Sequence, residues 1–239
     1  MKRYIPVIKF VLLTALVVFL FSFTQKRNAN RNLKRINVEF LDENDPFITL
    51  ATVNKLLVQN NDSVTGIPKE TLVLKEMESR LLGNDMIRDA QVYVTVDGVL
   101  GAKIEQRNPI GRIAASPNYY LDEDGKKMPL SSVYAARVPL ITGRSTTNFS
   151  EVTPLLIRIG EDDFMKQSVV GIHVSEKDKV TLKLRKYSFD VIFGNVENMD
   201  LKFQNFKAFY KKAKEDNRLQ GYKTIDLRFG KQVVATKIE

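Results

Sequence analysis

Hydrophobic and polar positions divide the chain into one long apolar segment followed by two regions of shorter, alternating patterns. Residues 10–23 contain no charged side chain, and extending the segment back to Ile5 adds only Lys9. These 19 residues would form about 28 Å of helix, close to the roughly 30 Å hydrocarbon core of a bilayer. The pattern therefore predicts a single N-terminal transmembrane helix within residues 1–35.

The apolar segment fits either a cleaved signal peptide or a retained membrane anchor. It is longer than a usual signal-peptide core, and Ser22-Phe23-Thr24 is a poor substitute for the small residues of a cleavage site. We therefore expect an anchor. Its orientation stays open at this point, because the C-terminal flank carries more basic residues, whereas large domains are often translocated regardless of charge.

Residues 36–107 predict a small α+β domain with the element order β-α-α-β-β. The signals are a strand at 36–40, a helix capped by Thr52, a helix with Leu74, Met77 and Leu81 on one face and Gly83 at its end, and strands at 91–96 and 99–107. Asp97-Gly98 between the last two strands is a strong hairpin signal. A sheet packed on two helices would give this domain one small core.

Residues 108–239 predict a second domain, in which covering helices pack on a mixed or antiparallel, β-rich sheet. Strands are expected at 118–121, 126–130, 138–141, 169–174, 179–185, 187–193, 222–229 and 232–237. The spacing of apolar residues predicts helices at 149–160 and 199–214. Gly230-Lys231 predicts a tight hairpin before the final strand, which we expect at a sheet edge.

The charge distribution changes the interpretation of the net charge. A total of +9 could indicate a nucleic-acid-binding protein, but eight basic residues and no acidic residue lie within residues 1–35. Subtracting these eight from the 37 basic residues leaves 29, against 28 acidic ones, in the remainder. We therefore expect the basic flanks of the apolar helix to contact anionic lipid head groups, and we expect no nucleic-acid partner.

Candidate chemistry is sparse. The absence of Cys excludes disulfides and thiol catalysis, and the single His, His173, alternates with apolar residues and is interpreted as a partly exposed strand residue. Asp122, Asp124 and Gly125 match only part of a calcium loop and predict a hairpin turn instead. Glu161-Asp162-Asp163 is interpreted as a loop after a helix. We expect no catalytic residue, no metal site and no cofactor.

Four motifs follow one another along most of the chain. They are Val94-Thr-Val-Asp-Gly-Val-Leu-Gly-Ala-Lys-Ile-Glu-Gln-Arg-Asn-Pro-Ile110, Tyr120-Leu-Asp-Glu-Asp-Gly125, Pro139-Leu-Ile-Thr-Gly143, and Phe193-Gly194 followed by a helix and Ile225-Asp-Leu-Arg-Phe229. Together they resemble the bacterial FtsQ/DivIB family, whose members combine a membrane anchor, a POTRA domain and a β domain. The chain departs from the family in having no Trp-Pro-type segment at 87–92, no Trp in the terminal strand, and Phe229 where the family has Tyr.

The resemblance implies a non-enzymatic scaffold at the division septum. It implies a cytoplasmic N-terminus, one span of the inner membrane and periplasmic C-terminal domains. It also implies coiled-coil partners similar to FtsB and FtsL, which connect the scaffold to septal peptidoglycan synthesis and bind by strand addition at the C-terminal β edge. The expected partner-binding residues are Phe229, Gly230, Lys231, Gln232, Val233 and Val234. The POTRA-like domain is a second candidate surface, for upstream division proteins.

Two questions stay open at this stage. Phe229 fits two interpretations equally well, as an aromatic anchor for a partner or as a core residue beside Leu227. The second follows from alternation, which places Leu227 and Phe229 on one face of a strand that ends at 229. The chain could also be a POTRA-bearing component of envelope assembly or secretion. That alternative would predict repeated POTRA units.

Overall fold

The computed structural model describes residues 5–29, 32–42, 46–58, 72–143, 152–175, 179–230 and 232–238 of the 239-residue chain. The chain divides into two units, Met1–Gln106 and Arg107–Glu239. Each unit encloses its own cluster of buried apolar residues.

The N-terminal helix α1 spans Ile5–Ala29. Its large apolar side chains between Ile8 and Phe23 are exposed by 52% to 70%. Because these include consecutive positions, they surround the helix and do not form a single stripe. No helix in the described part of the chain is long and apolar enough to cross a membrane. The predicted helix is present, and its role as a membrane span stays a prediction.

The first unit continues with the predicted order β-α-α-β-β. Its elements are β1 (Arg35–Phe40), α2 (Leu50–Val58), α3 (Leu74–Leu82), β2 (Ile87–Val94) and β3 (Val99–Gln106). β3 is the central strand, parallel to β1 and antiparallel to β2. Gly98, with φ of 93°, closes the β2–β3 hairpin, so the Asp97-Gly98 turn prediction is confirmed. The buried residues of this core include Val53, Leu57, Met77, Leu81, Leu100, Ala102 and Ile104.

The N-terminal cap of α2 and the backbone conformation at the end of α3 differ from the predicted ones. Thr49, and not Thr52, caps α2, since the Thr49 hydroxyl accepts the Thr52 N–H at 3.1 Å and the Thr49 carbonyl accepts that of Val53 at 3.1 Å. Leu50 and Ala51 therefore extend the helix beyond its periodic apolar positions. Gly83 ends α3 in a right-handed conformation, with φ of −71°, so the left-handed freedom of glycine is not needed there.

The second unit contains a nine-stranded mixed sheet with helices packed on it, which confirms the β-rich prediction, although the alternation predicts only eight of these strands. Its strands are β4 (Pro109–Ile113), β5 (Tyr119–Asp122), β6 (Lys127–Met128), β7 (Leu140–Gly143), β8 (Val169–Val174), β9 (Val180–Leu184), β10 (Asp190–Gly194), β11 (Tyr222–Asp226) and β12 (Val234–Lys237). They lie in the order β12-β11-β10-β9-β8-β7-β4-β5-β6. The β4–β7, β7–β8 and β10–β11 pairs are parallel, and the others are antiparallel.

The described part of this unit also contains the α-helices α4 (Thr153–Glu161), α5 (Asp163–Ser168) and α6 (Met199–Glu215), and a short 3-10 helix at Leu219–Gly221. Phe203, Phe206 and Ala213 on α6 are buried, which confirms the predicted apolar face. Asp162, interpreted from the sequence as part of a loop, instead caps α5, because its carboxylate accepts the Met165 N–H at 3.1 Å. The same carboxylate forms an ion pair with Lys207 of α6.

The sequence prediction misses β4 and lengthens the last two strands. β4 lies between β5 and β7, although Pro109 and Gly111 interrupt its apolar pattern. A Cβ atom on Gly111 would lie 2.6 Å from Cδ1 of Ile141, so a larger residue there would require the end of the Ile141 side chain to shift. β11 ends at Asp226, not at 229, and β12 begins at Val234, not at 232. The predicted helix at 149–160 begins at Thr153, and residues 149–151 lie outside the described residues.

Candidate partner-binding edge

β12 lies at one end of the nine-stranded sheet and pairs with β11 alone. The register places Val234 opposite Asp226 and Lys237 opposite Tyr222 in an antiparallel ladder. An edge strand carries outward N–H and C=O groups that a further strand can pair with. The described residues supply no strand on that outer side, so the predicted edge position of the last strand is confirmed.

A short network fixes the chain where β11 ends. The Leu227 N–H donates to the carbonyl of Ile192 on β10 at 2.9 Å. The Asp226 carboxylate accepts from Nε of Arg228 at 2.9 Å and from Nη2 at 2.5 Å. These hydrogen bonds from Arg228 lower the pKa of Asp226, despite the opposing effect of burial. The carboxylate is therefore ionised at neutral pH and holds Arg228 in place.

The segment between β11 and β12 forms a turn that α6 supports. The Gln232 N–H donates to the Phe229 carbonyl at 2.9 Å, which closes the turn. The side-chain amide of Asn205 on α6 donates to the Gly230 carbonyl at 3.1 Å. Lys231 lies outside the described residues. The turn is thereby tied to the helix that covers the sheet.

The side chains around this edge divide into exposed and core-facing groups. Phe229 is 47% exposed and Val234 is 41% exposed, while Val233 and Ala235 pack against the core. Leu227 is buried, whereas Phe229 is not, so the interpretation of Phe229 as a core residue beside Leu227 is wrong. The reason is that β11 ends at Asp226, and strand alternation no longer applies at 229.

The structure places the described residues of the predicted set in one turn and in the strand that follows it. Val234 lies in β12, whereas Gln232 and Val233 precede that strand. Phe229, Gly230 and Gln232 lie in the turn. A binding role for these residues stays a prediction.

Sequence reasoning missed the residues that hold this corner, namely Asp226, Arg228 and Asn205. Asp226 and Arg228 are two positions apart, a spacing that puts side chains on the same face of an extended chain, and this could have signalled their pairing. Asn205 gave no such signal, because its partner is a backbone carbonyl 25 positions away in sequence.

Other candidate chemistry has structural explanations. His173 is exposed in β8, as predicted, with Nδ1 3.1 Å from the Thr142 hydroxyl. Asp122 accepts from Nη1 of Arg107 and from the Lys126 N–H, each at 2.6 Å, which confirms the hairpin turn. Among the described residues, no cluster of three His, Asp or Glu could hold a metal ion.

Comparison with known proteins then decides the family. A family model described as FtsQ/DivIB, C-terminal related, matches residues 108–236, which is more than half of the chain. The chain belongs to the FtsQ/DivIB family. A model of the POTRA-like domain matches residues 32–105 of this FtsQ/DivIB protein. A search of curated proteins finds no match. The family is one of division proteins that are generally not enzymes, and membership indicates protein partners in the division machinery.

Proposed function

We propose that this FtsQ/DivIB protein is a non-enzymatic membrane scaffold that binds its partners at the free edge of β12. It links early division proteins to coiled-coil partners similar to FtsB and FtsL, and through them it influences septal peptidoglycan synthesis. The observation that carries the proposal is a strand edge that no other described strand pairs with, beside two exposed apolar side chains, Phe229 and Val234. The family match over residues 108–236 favours this scaffold over an envelope-assembly or secretion component.

Strand addition fits the chemistry of this edge. Main-chain hydrogen bonds to the outer side of β12 would provide affinity without requiring a particular partner sequence. Specificity would come from side chains, because alternate positions of a strand share one face. Val234 and Ile238, both exposed, have this even spacing, and Phe229 lies at the preceding turn. A partner strand with apolar residues at alternate positions would cover these three side chains.

Charge substitutions at the edge test this proposal. Phe229→Asp and Val234→Asp should each weaken capture of FtsB- and FtsL-like proteins by the full-length chain by about tenfold or more, because a carboxylate would have to be buried against apolar side chains. Leu201→Asp is the matched control, since Leu201 is 43% exposed on α6 and lies outside the edge. Capture is measured by co-purification from detergent-solubilised membranes.

Hydrogen exchange distinguishes strand addition from side-chain contact alone. Amide protons of β12 should exchange more slowly in the complex than in the free chain, because new main-chain bonds protect them. Undiminished capture by both edge variants, or β12 amides that gain no protection, would contradict the proposal.

The proposed setting is a single span of the inner membrane, with α1 as anchor, the N-terminus in the cytoplasm and the two domains in the periplasm at the division septum. The exposed apolar side chains along α1 support this placement. A fluorescent fusion should form a midcell band in dividing cells, and protease added to spheroplasts should digest both domains. A uniform envelope signal, or protected domains, would overturn the placement.

The POTRA-like unit provides the second proposed surface, for upstream division proteins. Its sheet has two edge strands, β1 and β2, in the described region. A chain without residues 32–106 should keep FtsB- and FtsL-like partners and lose the midcell band. Retention of the band would contradict recruitment through this unit.

A further inference from the structure

An open pocket of about 870 Å³ lies in the second unit, among residues that the proposed partner-binding edge does not use. Its walls come from the loop before β7, from α5, from the chain after β9 and from α6. A volume of this size is within the range of small-molecule sites.

Five cationic side chains line this pocket: Arg137, Lys166, Arg185, Lys186 and Lys214. Asp163 is the one acidic residue in its lining. The concentration is local, because the chain beyond residue 35 has 29 basic and 28 acidic residues in total. Like charges gathered at one site repel one another, and an anion bound among them would relieve that repulsion.

The pairing of cations within the same unit is uneven. Arg107, Arg158, Lys183, Lys207, Lys212 and Arg228 each form an ion pair with a carboxylate, whereas Lys126, Lys211 and Lys223, which also lie outside the pocket, form none among the described residues. None of the five pocket cations forms an ion pair in the part of the chain that the structure describes. Arg185 donates from Nε to the Gln167 carbonyl at 3.1 Å, which fixes its position without neutralising its charge. With five cations and one acidic residue in its lining, the pocket carries net positive charge.

An aromatic wall completes the pocket. The rings of Tyr187 and Tyr210 meet edge to face with centroids 5.7 Å apart, and Phe164 meets Tyr210 at 5.0 Å. Burial, together with the hydrogen bond to Tyr187, raises the pKa of Tyr210 to about 12. The phenol therefore stays neutral and does not repel an anion. The wall offers flat apolar surface beside the cations.

We propose that this pocket binds a phosphate ester, with the phosphate among the five cations and the attached ring or chain against Tyr187 and Tyr210. The cations come from four separate segments that line one pocket, and a phosphate has several oxygens that can accept hydrogen bonds from more than one of them. The Ser168 hydroxyl and the Gln167 amide also line the site and can donate to those oxygens. The source is either a phospholipid head group or a soluble phosphate ester.

Calorimetric titration of the full-length chain in neutral detergent with inorganic pyrophosphate tests the site. A double variant, Lys166→Gln with Lys186→Gln, removes two exposed pocket cations and should weaken binding by about tenfold or more. The matched control is Lys211→Gln with Lys223→Gln, which removes the same charge from exposed lysines of the same unit outside the pocket. The control should stay within about twofold of the unaltered chain, because binding depends on local contacts.

Three further titrants define the ligand. Tighter binding of short-chain phosphatidylglycerol than of glucose 6-phosphate would assign the site to a lipid head group, and the reverse order would assign it to a soluble ester. Either order supports the proposal, provided that the double variant Lys166→Gln with Lys186→Gln binds the preferred compound more weakly. Absence of pyrophosphate binding, or equal weakening by the control variant, would overturn the site. Pentaglutamate that binds more tightly than every phosphate compound would overturn the phosphate assignment.

Discussion

Gly143 holds a backbone conformation that other residues rarely adopt, with φ of 103°. A Cβ atom there would lie 2.0 Å from the carbonyl oxygen of Val174, which is backbone and cannot rotate away. We expect Gly143→Ala to lower the free energy of unfolding by about 2 kcal/mol or more. Urea denaturation followed by circular dichroism measures the change.

Gly160 is the matched control for this substitution. It is exposed in helix α4, and a Cβ atom would meet nothing within 4 Å. Gly160→Ala should raise the free energy of unfolding by about 0.5–1 kcal/mol, because alanine loses less backbone entropy in a helix. Similar effects of the two substitutions would contradict the role assigned to Gly143.

Asp162 combines two roles in one carboxylate, as the cap of α5 and as the partner of Lys207. Burial opposes its ionisation, but the hydrogen bonds from Lys207 and from the Met165 N–H outweigh burial and lower its pKa from 3.8. A lowered pKa in the folded state gives stability that is present above the unfolded value and is lost as the pH falls through the folded one.

Asp162→Ala should therefore lower the free energy of unfolding by about 1–2 kcal/mol near neutral pH. This loss of stability should become smaller as the pH falls below about 4. Asp162→Asn keeps a capping oxygen and loses only the ion pair, so it should cost less. Asp163→Ala, at the adjacent exposed position, serves as control. Thermal denaturation at several pH values measures these differences, and a deficit independent of pH would contradict the proposed ionisation.

Single-residue roles are the part of the structure that local sequence signals predict least well. Thr52 has the residue type of a cap, but Thr49 provides the cap, because hydrogen-bond geometry and not residue type selects between the two threonines. Phe229 was ambiguous for a similar reason, since its burial depends on whether β11 continues past Asp226. The spacing of apolar residues in the sequence reveals neither which threonine caps α2 nor where β11 ends.

At the scale of elements, the outer edge of β2 is partly closed by α3. The Val92 N–H donates to Oε1 of Glu78 at 2.9 Å, and β2 is an edge strand of its sheet. Glu78→Ala should speed hydrogen exchange at the Val92 amide by about tenfold, because one hydrogen bond contributes about 1 kcal/mol. Glu76→Ala, at an exposed position of the same helix, should leave that amide unchanged. Equal exchange rates in both variants would show that Glu78 does not protect this edge.

Alternation predicts the elements whose two faces differ in polarity. β9 is predictable because its buried residues, Val180, Leu182 and Leu184, recur at every second position, and the second half of β3 alternates in the same way. β4 was missed because its middle residue, Gly111, contributes no side chain to either face, although the position itself is buried. The order of strands in the chain does not fix which of them lie at an edge, since β4, the first strand of this sheet, lies inside it and β12 lies at its end. The cluster of cations in the pocket could not be predicted from the sequence, because its members are spread between Arg137 and Lys214 and only the fold brings them together.

At the scale of the whole molecule, the two units have separate cores, so damage to one core should stay within that unit. Leu81 belongs to the core of the first unit and Leu182 to that of the second, and each is 0% exposed. Leu81→Ala should lower the stability of the first unit by about 2–5 kcal/mol and leave hydrogen exchange in β8 and β9 unchanged. Leu182→Ala should have the reciprocal effect.

These two variants also locate partner binding within the molecule. Because β12 belongs to the second unit, Leu81→Ala should leave capture of FtsB- and FtsL-like partners within about twofold of the unaltered chain. Leu182→Ala should reduce capture, because it increases the population of open states of the second unit. Peptide-resolved hydrogen exchange and capture, measured on the same preparations, provide the comparison. Loss of capture with Leu81→Ala while β12 keeps its exchange protection would mean that the first unit contributes directly to partner binding.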